Sequence, residues 1–111
     1  MENFESFGLS PALLKGVTEL GFATPTPVQA KVIPLLLKPG RDVVALAQTG
    51  TGKTAAFGLP MLQLTDAAHA VVQGLILCPT RELCLQISRD LADFGRFAPQ
   101  LRVLAVYGGA P

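Results

Sequence analysis

Charge, cysteine and long apolar runs are all scarce in this chain of 111 residues, and each shortage removes a class of protein. Only 15% of the residues are charged, nine Lys and Arg against eight Asp and Glu, for a net charge of +1. A basic tail that holds nucleic acid by bulk attraction is excluded, so any contact with RNA or DNA must come from individually placed groups. Hydrophobic residues make up 50% of the chain, which excludes a disordered, solvating composition. The two cysteines, Cys78 and Cys84, are too few for a disulfide scaffold and lack the spacing of a zinc knuckle or redox pair. They read as small buried hydrophobes in a reducing compartment, and the cytoplasm is the expected location. The longest apolar runs, Val32–Leu37 (broken by Pro34) and Val43–Ala47, fall far short of the roughly 18 residues a membrane-spanning helix needs. No basic region precedes an apolar stretch in the acidic start Met1–Glu5, so no signal peptide is expected. The mean hydropathy of +0.44 is high for a free-standing domain of this length, and points to a very apolar core or to part of a larger protein.

Hydrophobic spacing divides the chain into alternating helices and strands. Ser10-Pro11 gives an N-cap and a first-turn proline, and Leu13, Leu14, Val17 and Leu20 then share one helical face up to Gly21. Thr26-Pro27 repeats the start signal, and Val28, Val32, Leu35 and Leu36 continue a helix that Pro39-Gly40 ends. Pro34 should kink it or remove a hydrogen bond. Lys53 to about Leu64 has helical spacing, disturbed at Pro60. From Arg81 to about Phe97, Leu83, Ile87, Leu91 and Phe94 form one apolar stripe on the clearest amphipathic helix. Asp42–Ala47, Gly74–Cys78 and Arg102–Tyr107 are short apolar runs that predict strands buried on both faces. Strands alternating with helices imply βαβ units, a parallel sheet and an α/β fold.

Ala47-Gln48-Thr49-Gly50-Thr51-Gly52-Lys53-Thr54 lies between the first predicted strand and the helix that follows it. That junction is where a phosphate-binding loop belongs. Glycines let the backbone wrap so that N–H groups converge on a phosphate, and the helix adds the positive end of its dipole. Lys53 would reach the β and γ phosphates and Thr54 would set its hydroxyl on Mg²⁺. The usual pattern begins with glycine, and Ala47 stands there instead. The plain alternative is a glycine-rich strand–helix turn with an incidental lysine. A phosphate loop alone names no function, because it recurs across unrelated activities.

Further segments narrow the field. Gly21-Phe22-Ala23-Thr24-Pro25-Thr26-Pro27-Val28-Gln29 resembles the Q motif of the DEAD-box RNA helicases, and Phe4 sits where that family has its isolated upstream aromatic. Ala47–Thr54 is similar to the family's motif I, in which alanine is the usual first residue. Pro79-Thr80-Arg81-Glu82-Leu83 resembles motif Ia, and Tyr107-Gly108-Gly109 the GG motif. Within the family the bacterial RhlE-like group looks nearest. The resemblance implies a P-loop, RecA-like three-layer sandwich around a parallel sheet, incomplete in this chain. Residues 1–30 would be the Q-motif region and 31–111 part of the first RecA-like ATP-binding domain. It implies ATP and Mg²⁺ as cofactors, held by Phe4, Gln29 and Ala47 through Thr54, with Lys53 and Thr54 as catalytic residues and Thr54 on the metal. Gln29 has one amide acceptor and a donor pair, which match the N6 and N7 edge of adenine, and Phe4 would stack on the base. Without the family, Gln29 reads as a solvent-facing helix residue and Phe4 as a core or tail aromatic. Pro79, Thr80, Arg81, Gly108 and Gly109 would touch the RNA sugar-phosphate backbone without reading bases, so RNA binding would be independent of sequence. Arg81 alone reads as a solvated first-turn residue, and Gly108-Gly109 as an ordinary turn. Cys84 replaces the alanine usual in the family, and His69 reads as exposed rather than as a ligand.

Hydrolysis of ATP needs one carboxylate to hold Mg²⁺ and another to position water. Asp42, Asp66, Asp90 and Asp93 do not stand at the end of a predicted buried strand. The family's Asp-Glu-Ala-Asp motif and its second lobe are absent from these residues. The chain is thus expected to be roughly the first half of the first lobe, binding ATP without turnover and exposing an apolar face and a sheet edge. Two other readings stay open: another P-loop ATPase or DNA helicase, and a truncated module that binds a nucleotide or partner without catalysis.

Overall fold

The computed structural model describes residues 3–38, 40, 42–47 and 52–109. A 3-10 turn at Phe4–Phe7 is followed by four helices: α1 (Pro11–Glu19), α2 (Pro27–Leu37), α3 (Lys53–Leu64) and α4 (Arg81–Phe94). The starts obey the sequence signals closely. Ser10 Oγ accepts from Leu13 N–H at 3.3 Å, Thr26 Oγ1 from Gln29 N–H at 3.3 Å, and Thr80 Oγ1 from Leu83 N–H at 3.2 Å. Pro34 and Pro60 lie inside α2 and α3 without ending either helix. Pro60 is fully buried, so packing outweighs the lost hydrogen bond. The last helix stops at Phe94, earlier than the sequence suggests, because the Gly95 N–H already closes it on Leu91 O at 3.0 Å.

Helix α3 is the centre of the molecule, with α2 and α4 packed against it and α1 against α4. Its buried side is made of Ala55, Ala56, Gly58, Leu59, Pro60 and Leu62, mostly small residues that let neighbours approach. Leu59 meets Leu13, Val17, Ile33, Ile87, Leu91 and Phe94 in one core. Burial of each large aliphatic chain there contributes about 1.5–3 kcal/mol. The amino-terminal turn joins this core through aromatic rings. Phe4 meets Phe7 at 5.6 Å and Phe22 at 5.7 Å, and Phe22 meets Phe94 at 5.8 Å, in tilted and edge-on geometries. Gln63 of α3 secures the entry to α1, its Oε1 accepting from Ser10 N–H at 2.8 Å.

The three segments predicted as strands form no β-ladder among the described residues, and no backbone hydrogen bond there joins one to another. Their exposure explains the difference. Ile76, Cys78, Ala105 and Tyr107 are half-buried, while Leu77 and Val106 between them are 86% and 77% exposed. In 74–78 and 102–107 alternate side chains thus meet the helices and the others point away, so these two segments are buried on one side rather than two, while Val44, Ala45 and Leu46 are all exposed. Ile76, Cys78 and Leu101 pack on the core. Leu46 is 95% exposed and Val44 and Val106 are exposed with it, which makes a broad apolar face opposite the helical layer. Cys78 and Cys84 are half-buried free thiols, not the fully buried hydrophobes the sequence suggested. His69 is exposed as expected, its Nδ1 2.7 Å from Asp66 Oδ2 in a loop that Gln73 also braces.

Two stability effects follow from the helix layer. A Cβ on Gly16 would overlap the Phe94 carbonyl oxygen, a backbone atom with no rotamer to yield. An exposed helical Gly→Ala change stabilises by about 0.4–1 kcal/mol, whereas overpacking costs about 1–3 kcal/mol. Gly16→Ala is therefore expected to lower the urea or thermal midpoint, and a raised midpoint would refute the close α1–α4 crossing. Burial, then Asp93 nearby, pushes the Asp90 carboxyl above its ordinary value against a smaller pull from Arg89. A raised folded pKa means that ionised Asp90 costs stability, and the cost grows as pH climbs from the unfolded value through the folded one. Asp90→Asn is expected to raise the melting midpoint at neutral pH, and the gain should disappear in acid, where both side chains are neutral.

Candidate functional site

The junction before α3 differs from the other helix starts. Its N-cap is Gly52, at φ +83° and ψ 27°, and among the described residues no side chain caps the helix. The first N–H groups of a twelve-residue helix are left for another acceptor, in the positive field of the helix end. Ala47 and Lys53 bring the two ends of the loop together, the Lys53 ammonium donating to Ala47 O at 2.8 Å. Lys53 is exposed and Thr54 half-exposed in the first turn of α3. Gln48, Thr49, Gly50 and Thr51, also expected in the loop, lie outside the described residues.

Gln29 is the buried polar residue beside this junction, 3% exposed at the third position of α2. Its Oε1 accepts from Thr26 N–H at 2.9 Å and its Nε2 donates to Gly52 O at 3.2 Å. Both ends of the amide are thus engaged, one closing a capping box with Thr26 and the other fixing the residue that starts α3. Gly52 leaves room for this, because a Cβ there would overlap Gln29 Nε2. A solvent-facing Gln29 is excluded. The Thr26-Pro-Val-Gln29 spacing is a legible capping-box signal, but its second bond, to Gly52, had none.

Phe4 is also core, 3% exposed within the aromatic chain. It borders a cavity of about 300 Å³ with Asn3, Leu14, Thr18, Gly21 and Phe22. Its ring is committed to Phe7 and Phe22, so stacking on a base would draw on whatever part of the ring borders that cavity.

A second group forms where α4 begins. Thr80 is the N-cap, Arg81 the first helical residue, and Pro79 and Arg81 are exposed. The Arg81 guanidinium lies over the Tyr107 ring, 5.8 Å from its centroid. Cys84 Sγ lies 3.8 Å from Val106 O, as a weak S–H donor. Gly108 and Gly109 follow Tyr107 in an exposed turn with Gly109 at φ +87°. The residues expected from motif Ia and those from the GG motif are therefore neighbours. The sequence marks Tyr107 only as the first residue of the GG motif, with no role of its own, and Val106 only as part of an apolar run.

The donor set fits a phosphate better than a bare cation. Among the described residues no three His, Cys, Asp or Glu side chains are grouped to hold a metal ion. Thr54 offers one neutral oxygen, whereas Mg²⁺ is ordinarily held by one or two carboxylates together with substrate phosphates. No described helix is long and apolar enough to cross a membrane.

Comparison with known proteins identifies the family. The family model described as DEAD/DEAH box helicase matches residues 26–111. The ATP-dependent RNA helicase CshA of Listeria monocytogenes is 50% identical over 110 residues, covering 99% of this chain and 21% of that protein. A crystal structure of a DEAD box protein from Methanococcus jannaschii superposes with a TM-score of 0.86 at 36% identity, over 98% of this chain and 30% of that one. Dbp5 of S. cerevisiae, solved with RNA and ADP BeF3, gives a TM-score of 0.84 at 41% identity, over 87% of this chain and 25% of that one. The chain spans about a fifth of the length of the curated relative. With most of its residues inside the family match and its fold shared with solved members, this chain belongs to the DEAD/DEAH box helicases.

Proposed function

We propose that this chain is the ATP-binding, RNA-contacting portion of the first RecA-like lobe of an ATP-dependent RNA helicase, a protein that unwinds or remodels RNA duplexes. The observation that carries the reading is the junction before α3. A glycine N-cap without a capping side chain, a lysine held across the loop mouth and a buried amide on Gly52 together make a phosphate cradle with a sensor beside it. The proposal takes the family and not its RhlE-like group. It includes the parallel sheet, with 42–47, 74–78 and 102–107 as strands completed by other parts of a longer protein. The one-sided burial of 74–78 and 102–107 and the likeness to longer helicase structures support this. The half-buried free thiols suit a reducing cytoplasm.

In this reading the free N–H groups at the start of α3 receive the ATP phosphates. Lys53 exchanges its neutral partner, Ala47 O, for a charged phosphate oxygen, a stronger bond. Gln29 trades one or both of its protein bonds for the N6 and N7 edge of adenine, so base recognition is felt at Gly52. Thr54 would hold Mg²⁺ together with the phosphates, and the ion would neutralise charge on the transferred group. Pro79, Thr80, Arg81, Gly108 and Gly109 would meet the RNA backbone without reading bases. Turnover belongs to a longer protein, because among the described residues no acid is placed to hold the metal and orient water. A binding module without catalysis is the other outcome the tests distinguish.

A thermal melt of the chain with Mg²⁺ and ATP, ADP or GTP tests the reading. Adenine nucleotides should raise the midpoint, by an amount equivalent to about 2.7 kcal/mol at 100 times Kd, and GTP should not. Lys53→Ala should abolish the shift while leaving the unliganded midpoint unchanged, and a retained shift would sink the phosphate assignment. Gln29→Ala should do two things together. It should remove the preference for adenine over guanine, and it should lower the unliganded midpoint by about 1–3 kcal/mol for the buried groups left without partners.

A further inference from the structure

We propose that Tyr107 positions Arg81 for RNA phosphate, so that the aromatic ring before the glycine turn is part of the RNA-binding device. The inference rests on the reading of Arg81 as a backbone contact.

Arg81 stands at the start of α4 with an exposed side chain, and among the described residues it makes no salt bridge. A free arginine side chain carries about 2 kcal/mol of rotamer entropy, which a forked contact to phosphate must overcome. The Tyr107 ring lies 5.8 Å below the guanidinium and attracts its charge. That attraction uses the face of the ring and consumes none of the five N–H donors. Carboxylate pairing would instead hold the arginine by the donors that phosphate needs. The ring is therefore a holder that leaves the fork available.

The neighbouring chain fixes the ring. Cys84 Sγ, one turn along α4 from Arg81, meets the carbonyl of Val106, next to Tyr107. Thr80 caps the same turn through Leu83 N–H. Tyr107 is half-buried, with Gly108 and Gly109 continuing from it. Arginine, ring and glycine turn thus form one surface built from two distant pieces of sequence. The phenol hydroxyl has no assigned role, and the ring alone does the positioning.

The test uses the whole chain and a fluorescently labelled single-stranded RNA, titrated at several salt concentrations. Tyr107→Leu should weaken binding about 3- to 10-fold and reduce the slope of log K against log salt by about 0.7, the value of one single-strand phosphate contact. Arg81→Ala should lose the same amount, and the double variant no more than either. Tyr107→Phe keeps the ring and should restore wild-type affinity and slope. Arg81→Lys keeps the charge on a group that stacks less well, and should fall between. Tyr107 is the one tyrosine in a chain without tryptophan, so its own emission reports the site. Unlabelled RNA should change that emission in the wild type and not in Arg81→Ala. Unchanged affinity and slope in Tyr107→Leu, with RNA still bound by the wild type, overturns the positioning role alone. A lost slope that Tyr107→Phe fails to restore also overturns it. No RNA binding by the unchanged chain overturns the contact reading and the positioning role with it.

Discussion

The buried amide of Gln29 is the interaction on which the site depends. It joins the start of α2 to the start of α3 through two hydrogen bonds, one to Thr26 N–H and one to Gly52 O. An amide in this setting cannot lose a partner cheaply, because an unpaired buried polar group costs about 1–3 kcal/mol. The position of the α3 N-cap is therefore set by α2, and the loop between Ala47 and Gly52 has a fixed far end. A ligand that competes for Gln29 must supply equivalent bonds. Adenine's paired donor and acceptor would meet that requirement, whereas a base of different edge pattern would leave the amide short. Selectivity in the proposed site would come from satisfying a buried group, which discriminates more sharply than shape.

The second constraint is the apolar face opposite the helices. Helices α1–α4 cover one side of the segments at 74–78 and 102–107, whose other side carries exposed Leu77 and Leu104, and Leu46 of 42–47 is exposed as well. A face of this kind is costly in water and invites association. Longer family members with the same helical layer show that the arrangement is compatible with a complete domain. The high mean hydropathy and this face are one fact seen twice: apolar residues suited to two-sided burial, here packed on one side.

Much of the helical layer was legible in the sequence. Ser10-Pro11 and Thr26-Pro27 marked two starts, and Leu13, Val17, Ile87, Leu91 and Phe94 marked the buried stripes. What local pattern left undecided had a common physical cause. Short continuous apolar runs predicted strands buried on both faces, but a ladder requires partners whose positions no local pattern encodes, and the described residues supply none. The amino-terminal 3-10 turn escaped because four residues give no period. Gln29 could be placed near a nucleotide only by resemblance. Its bond to Gly52 crosses between elements and leaves no trace in spacing.

Helix capping explains why Gly52 suits its position. Three helices begin with Ser10, Thr26 and Thr80, whose hydroxyls satisfy an N–H of the first turn. The fourth begins with a glycine, which forgoes a side-chain cap that would stabilise by about 1 kcal/mol. Two requirements select it. The backbone there is left-handed at φ +83°, where residues with a Cβ are strained, and any Cβ would overlap the Gln29 amide. The same choice leaves the first N–H groups of α3 without a side-chain cap among the described residues, beside Lys53. A serine or aspartate at this position would fill them, and in doing so would occupy the volume and the donors that an incoming phosphate requires. The start of α3 thus gives up local stability where the proposed phosphate site would lie, and the Gln29 bridge offsets part of that loss from outside the helix.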